Sequence, residues 1–275
     1  MTTTETIILV TGKAFHLTYY EFASDNPPGA NSGIGYETAF CLADAAVSNH
    51  VIMASRSVSK GTAALAKSKA RKAAGTLSLI ELDLTSDVSI TAASRLLTGK
   101  FGKLDVLVNN AGICEKYSLS ETERSTLDRE TLRKVFETNT FGTMLLTQAL
   151  EPLLRNSSDA RIINVSSGLG SVALRANQAD SSAEYLYDAY RMSKAALNMM
   201  SLSYSWHYRD WAKVWAYCPG FVVTNLTGEG DRELRMSAGA ESGEFAARGI
   251  LDLVVGKRDQ ETGCFVRSDG KAWPW

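Results

Sequence analysis

Seven short runs rich in β-branched and apolar residues recur along this chain, with longer helical patterns set between them. The runs are Ile7–Val10, His50–Ser55, Leu77–Leu82, Leu104–Val108, Arg161–Val165, Val214–Tyr217 and Gly263–Val266. Helical periodicity opens after Gly35 and covers Val58–Ala73, Ser86–Lys100, the region between Asp128 and Leu154, and Ala183–Arg209. Strands separated by helices of ten or more residues pair in parallel through right-handed crossovers, which place helices on both faces of one sheet. The expectation is therefore a doubly wound α/β fold with a seven-stranded parallel sheet. No internal repeat, low-complexity tract or linker divides residues 1–275 into separate domains. Ligands of such sheets bind at the carboxyl ends of the strands, near the point where strand order reverses.

The first strand–helix junction is interrupted. Ile7-Ile8-Leu9-Val10-Thr11-Gly12 reads as a strand ending at a glycine, and Ala30-Asn31-Ser32-Gly33-Ile34-Gly35 reads as a glycine-rich turn opening a helix. Glycines permit a tight turn and close backbone approach, and a helix N-terminus favours anionic charge, so Gly12, Ser32, Gly33, Ile34 and Gly35 are expected to hold a pyrophosphate. Between the two halves stand residues 13–29. They read either as a loop budding from the turn, returned by Pro27-Pro28-Gly29, or as a short retained intron. Seventeen residues are 51 nucleotides; Gly12-Lys13 admits a GT splice donor and Pro28-Gly29 an AG acceptor.

Charge narrows the partners. Lys plus Arg number 29 and Asp plus Glu 30, a balance that speaks against nucleic acid or an anionic membrane surface. No apolar run approaches the roughly 20 residues that span a bilayer, and the first residues lack the pattern of a signal peptide. The four cysteines (Cys41, Cys114, Cys218, Cys264) form no close pair, and the three histidines are scattered. Reduced thiols, a cytoplasmic location and no metal site are expected.

Residues that follow strands carry the chemistry. Arg56 follows the second strand, where an acid would accept from the 2′-hydroxyl of NAD and an arginine would pair with the 2′-phosphate of NADP. A solvated surface arginine is the other reading; NADP(H) is preferred over NAD(H). Asp83-Leu84 follows the third strand, and Asp83 is either an acceptor for the adenine amino group or a loop acid before a helix. Asn109-Asn110-Ala111-Gly112 follows the fourth, where Asn110, Ala111 and Gly112 would lie against a cofactor unless the motif is only a turn. Ser167 ends the fifth strand. Tyr190 and Lys194 stand four apart on the predicted helix and so share a face. A lysine one turn from a tyrosine lowers a phenol from about 10 toward working pH. Such a phenol can give its proton to a carbonyl oxygen while a hydride arrives from nicotinamide, with Ser167 bonding the same oxygen.

Together these residues resemble the short-chain dehydrogenase/reductase family, along essentially the whole chain. The matching elements, in family order, are Thr11-Gly12 with Gly33-Ile34-Gly35, Asn109 to Gly112, Asn139, Ser167, Tyr190-x-x-x-Lys194 and Pro219-Gly220. Ser55-Arg56 and Cys218-Pro219-Gly220-Phe221-Val222-Val223-Thr224 are similar to the NADPH-dependent carbonyl reductases of that family. The resemblance implies a Rossmann-type domain and an NADPH-dependent reductase of ketones or aldehydes, or the reverse alcohol dehydrogenase. It implies that Asn139 holds a water linking Lys194 to solvent, that Lys194 also bonds the nicotinamide ribose, and that Pro219, Gly220, Val222 and Thr224 line the nicotinamide. Residues from about 225 to 240 would form a substrate lid.

Leu169, Tyr185, Phe221 and Leu226 point to a bulky, apolar carbonyl or alcohol substrate. Ser167 and Tyr190 stand 23 positions apart, longer than the family's usual connection, and the Leu174–Glu184 region is expected to border the pocket. Homo-oligomerisation stays open. A second function class also stands: a non-catalytic protein of the same fold whose nucleotide site is disabled by residues 13–29. An isomerase or dehydratase on this scaffold is the remaining variant.

Overall fold

Alternation along the first strand sorts the core into two layers. In the computed structural model, which describes residues 5–12, 33–115, 127–177, 179–182, 186–224, 226 and 231–275, strand β1 runs Thr6–Thr11. Successive side chains of a strand point to opposite faces. Ile7 and Leu9 thus join one buried cluster with Leu97, Leu146, Leu150 and Leu197, while Ile8 and Val10 join another with Ala39, Leu42, Ile250 and Leu253. Burial of this alternating set on both faces holds the sheet in the middle of the molecule.

The remaining strands are β2 (Asn49–Ser55), β3 (Thr76–Glu81), β4 (Val106–Asn109), β5 (Ala160–Val165), β6 (Ala212–Cys218) and β7 (Phe265–Arg267). All pair in parallel, as the sequence predicts, and their order is β3-β2-β1-β4-β5-β6-β7. Strand order reverses between β1 and β4, where Ile8 faces Val106 and Val10 faces Val108. That reversal opens the crevice in which such sheets bind ligands.

The helices are α1 (Ile34–Asp44), α2 (Val58–Ala70), α3 (Asp87–Phe101), α4 (Arg129–Phe136), α5 (Gly142–Arg155), α6 (Val172–Ala176), α7 (Asp188–His207), α8 (Asp231–Ser237) and α9 (Gly243–Val254). Local chemistry sets several starts: the side chains of Ser57, Ser86, Asp128 and Ser242 accept from the backbone N–H of Lys60, Ser89, Thr131 and Phe245.

Three boundaries differ from the sequence reading. The helical region between Asp128 and Leu154 is interrupted by a π-helical segment, Glu137–Phe141, between α4 and α5. Such segments insert a residue into the helical ladder and re-aim side chains, often at functional positions. The helix expected from Ala183 begins, among the described residues, at Asp188: the Tyr187 backbone is non-helical, and residues 183–185 lie outside the described residues. The Leu174–Glu184 region carries part of a short helix, α6, that the periodicity did not reveal. Residues 13–29, Ser32 and Tyr185 lie outside the described residues, as do several positions of the expected lid. Among the described residues no helix is long and apolar enough to cross a membrane.

Candidate active site

At the reversal point, Thr11 joins the carboxyl ends of β1 and β4. Its hydroxyl accepts from the backbone N–H of Asn110 (3.0 Å) and Ala111 (3.1 Å), and Asn110 Nδ2 donates to its carbonyl (2.9 Å). The first turn of α1 packs directly on this junction. A Cβ on Gly35 would fall 2.4 Å from Asn110 Nδ2 and 3.5 Å from the Thr11 carbonyl oxygen, so only glycine lets the helix approach so closely. Gly33 caps the helix with no side-chain bond, leaving the first-turn N–H groups of Ile34 and Gly35 without intrahelical acceptors. Glu37 in that turn is buried, but its carboxylate pairs with Arg71 (2.8 Å), so the acid does not oppose an anion at the helix end. Gly12, Gly33, Ile34, Gly35, Asn110, Ala111 and Gly112 are thus gathered at one crevice.

Arg56 is exposed at the end of β2 and makes no hydrogen bond or ion pair with any described residue. Asp83, after β3, is half-buried. Its Oδ1 accepts from the backbone N–H (2.9 Å) and hydroxyl (2.8 Å) of Thr85, a local turn that leaves Oδ2 uncommitted. Leu84 beside it is buried.

Ser167, Tyr190 and Lys194 converge beyond the end of β5. Tyr190 and Lys194 are buried on α7, and Ser167, whose hydroxyl accepts from Leu169 N–H (3.2 Å), stands near enough to the Tyr190 phenol to oppose its rise. Gly170, in the turn after Ser167, lies against Lys194: a Cβ there would fall 2.7 Å from the backbone of that residue. Lys194 Nζ donates to the Val165 carbonyl (2.8 Å) and lies 5.7 Å from the centre of the Tyr190 ring. Asn139, at the middle of the π-helical segment, has its side chain fully buried. Its Oδ1 accepts from Ile113 N–H (2.8 Å), and its Nδ2 donates to the Ile113 carbonyl (2.8 Å) and to Ser193 Oγ (2.9 Å). Both Nδ2 hydrogens are spent; Oδ1 keeps a second lone pair.

Electrostatics here depart from the expected lowering of the phenol. Burial dominates and pushes Tyr190 up, reinforced by the thiols of Cys114 and Cys218 and only partly opposed by Ser167 and Arg235. Burial likewise pushes the Lys194 ammonium down to about 8. The charged form is therefore the costly one, and the penalty fades as pH rises from about 8 toward the ordinary lysine value of 10.5. In that window the unfolded chain binds more protons at this site than the folded one, so stability rises with pH. Against Lys194→Met, the wild-type protein is expected to gain up to about 3 kcal/mol across the window. Urea unfolding at matched pH values checks this, and a difference independent of pH would contradict it.

On the far side, Gly220 takes a left-handed φ of 82° after Pro219, whose carbonyl accepts from Ser268 Oγ (3.0 Å). Val222 is buried and bridges to Glu241, and the Thr224 hydroxyl accepts from Leu226 N–H (3.4 Å). Helix α8 returns over this segment: Arg235 donates to the Val222 carbonyl (3.1 Å), with its guanidinium 5.3 Å from the Phe221 ring centre.

The sequence profile of the short chain dehydrogenases matches residues 28–234. The chain belongs to this family. It is 38% identical over 229 residues to the short-chain dehydrogenase anuI of Penicillium roqueforti, covering 81% of this chain and 84% of that protein. It is 32% identical over 261 residues to the short-chain dehydrogenase/reductase tropE of Talaromyces stipitatus, covering 90% and 96%. Among solved structures, an NADPH-bound carbonyl reductase from chicken fatty liver superposes with a TM-score of 0.76 at 25% identity, covering 99% of this chain and 100% of that one. This short-chain dehydrogenase is accordingly an oxidoreductase of the carbonyl–alcohol class that works with a nicotinamide cofactor.

Several residues that build the site in this family member escape sequence reasoning. Glu115 reaches the first turn of α7, with Oε1 2.9 Å from Ala189 N and Oε2 3.0 Å from Tyr190 N. Arg191 donates to the carbonyls of Leu169 (3.3 Å) and Ser182, tying α7 to the Ser167 turn and to the region after α6. Cys218 Sγ accepts from Gly168 N–H (3.2 Å), and the Pro274 and Trp275 carbonyls accept from Ser171 Oγ (2.7 Å) and Ala173 N–H (2.9 Å). These ties join residues far apart in the chain, so no local pattern announces them.

Proposed function

We propose that this protein is an NADPH-dependent reductase of a bulky, apolar ketone or aldehyde, able also to run in reverse as an alcohol dehydrogenase. The observation that carries the reading is the convergence of half-buried Ser167 with the buried pair Tyr190 and Lys194, one helical turn apart on α7, at the carboxyl end of β5. The residues present fit a nicotinamide dinucleotide: Gly35 leaves no side chain between α1 and the Thr11–Asn110 junction, and the Ile34 and Gly35 N–H groups, which have no acceptor among the described residues, stand at the helix end where a pyrophosphate would lie. Gly12, Ser32, Gly33, Ile34 and Gly35 would hold the phosphates, Arg56 the 2′-phosphate, and Asp83 and Leu84 the adenine. Asn110, Ala111, Gly112, Lys194, Pro219, Gly220, Val222 and Thr224 would flank the ribose and nicotinamide. When bound, the cofactor supplies the hydride.

The chain's own residues handle the proton and the oxygen. Tyr190 gives its phenolic proton to the carbonyl oxygen, and Ser167 donates a hydrogen bond that fixes that oxygen's position. Lys194 stabilises the phenolate left behind, and its burial near pH 8 lets it pass a proton onward. The free lone pair of Asn139 Oδ1 can accept a water in that relay. Burial holds the phenol protonated, the form that gives its proton to the carbonyl oxygen. The NADPH-bound carbonyl reductase among the solved neighbours supports the cofactor assignment.

Arg56 tests that assignment. Arg56→Ala is expected to weaken NADPH binding by about tenfold to a hundredfold, the 1.5–3 kcal/mol typical of a charged hydrogen bond, with NADH changed little. Titration of both cofactors decides it; equal losses would refute the role of Arg56.

A further inference from the structure

Helix α7 starts without a cap of its own. The side chain of its N-cap residue, Tyr187, does not bond the amides of the first turn, although that turn carries the phenol on which the proposed reaction depends. The missing acceptors come from 75 residues upstream. Glu115, on the loop after β4, accepts from Ala189 N–H through Oε1 (2.9 Å) and from Tyr190 N–H through both oxygens (3.0 and 3.3 Å). Its carboxylate also stands at the positive end of a 20-residue helix, where negative charge is favoured. The same loop is fastened twice more. Asn139 grips Ile113 by both backbone groups, and Ile113 packs with Ala189 and Val135 in a small buried cluster.

We propose that Glu115 is a positioning residue: it locks the loop that follows Asn109–Gly112 to the first turn of α7 and so fixes Tyr190 against that loop and whatever it cradles. The role rests on the reading of Tyr190 as proton donor. The groups around it fit a fixed anchor. The thiol of Cys114 points its hydrogen toward Glu115 Oε2 (3.5 Å), and burial holds that thiol protonated. Two bonds to consecutive backbone amides, together with the Ile113 contact, leave the turn little freedom to shift. Displacements of about 1 Å at a reacting group cost on the order of a hundredfold in rate.

The test compares Glu115→Leu, which cannot accept a hydrogen bond, with Glu115→Gln, which keeps one acceptor oxygen. Amide hydrogen exchange at Ala189 and Tyr190 is read alongside steady-state kinetics and cofactor titration. E115L is expected to speed exchange at both amides by at least about fivefold, as loss of a cap does. It is expected to lower kcat by about a hundredfold while the KM for the carbonyl compound and the Kd for NADPH stay within about threefold. E115Q is expected to recover most of that kcat. Wild-type exchange at both amides, or wild-type kcat in E115L, would overturn the role. If E115L does not fold, Glu115→Met, which keeps the length of the side chain without an acceptor oxygen, decides by exchange: unchanged protection at both amides overturns the proposal, and raised exchange at either supports it. Tyr190→Phe run in parallel separates the two claims. An inert Y190F beside a fully active E115L refutes the positioning role alone, whereas a freely turning Y190F refutes the acid and the positioning role with it.

Discussion

Tyr190→Phe is expected to lower kcat by about a thousandfold, with the KM for NADPH unchanged within about threefold. The ring stays, so the packing of the buried α7 face and its 5.7 Å contact with Lys194 persist. What is lost is the hydroxyl and the proton it delivers to the carbonyl oxygen. An effect confined to kcat follows because the phenol acts in the transition state and not in holding the cofactor. Steady-state rates of NADPH oxidation with a carbonyl substrate read it directly, and undiminished turnover would remove Tyr190 from the proposed chemistry.

Deleting residues 13–29 is expected to raise NADPH affinity by about tenfold and to add about 1 kcal/mol of stability, the loop-closure entropy of two halvings in loop length. The described ends show why. A Cβ on Gly35 would stand 3.5 Å from the Thr11 carbonyl oxygen, so the chain leaves β1 and re-enters α1 at almost the same place. Connections between a strand and the next helix in such folds run two to six residues. The deletion leaves Gly12 followed by Ala30-Asn31-Ser32-Gly33, a turn of that length, and restores the uninterrupted glycine-rich motif. Isothermal titration of both forms with NADPH decides the first part and urea unfolding the second; equal or weaker affinity in the shortened chain would contradict it. Sequencing the transcript distinguishes a genuine loop from a retained intron: a dominant message with all 51 nucleotides would end the intron reading.

The sheet was legible because its signal is local and repeated. Val, Ile and Leu runs such as Ile7–Val10 and Leu104–Val108, spaced by helices, leave little choice but parallel pairing. The positions of Ser167, Tyr190 and Lys194 were legible because a fixed i, i+4 spacing on a helix brings two side chains to one face. The same reasoning misjudged the phenol, since a lysine in sequence range does not say how deeply both groups are buried, and burial outweighs the neighbour. The π-helical turn at Asn139 was invisible because no local pattern in Glu137–Phe141 marks it. Its cause is tertiary: the Asn139 side chain meets both backbone groups of Ile113. Glu115 and the Pro274–Trp275 carbonyls were hidden for a related reason, as each satisfies backbone or side-chain donors brought near only by the finished fold.

The most direct measurement uses the whole chain, a panel of bulky apolar ketones and aldehydes, and NADPH dideuterated at C4 of the nicotinamide. One NADPH is expected to be consumed per alcohol formed, with one deuterium at the carbinol carbon of the product. A product without deuterium, formed with NADPH unconsumed, would point to an isomerase or dehydratase and contradict it. Absence of saturable NADPH binding would contradict it equally, in favour of a non-catalytic protein of this fold.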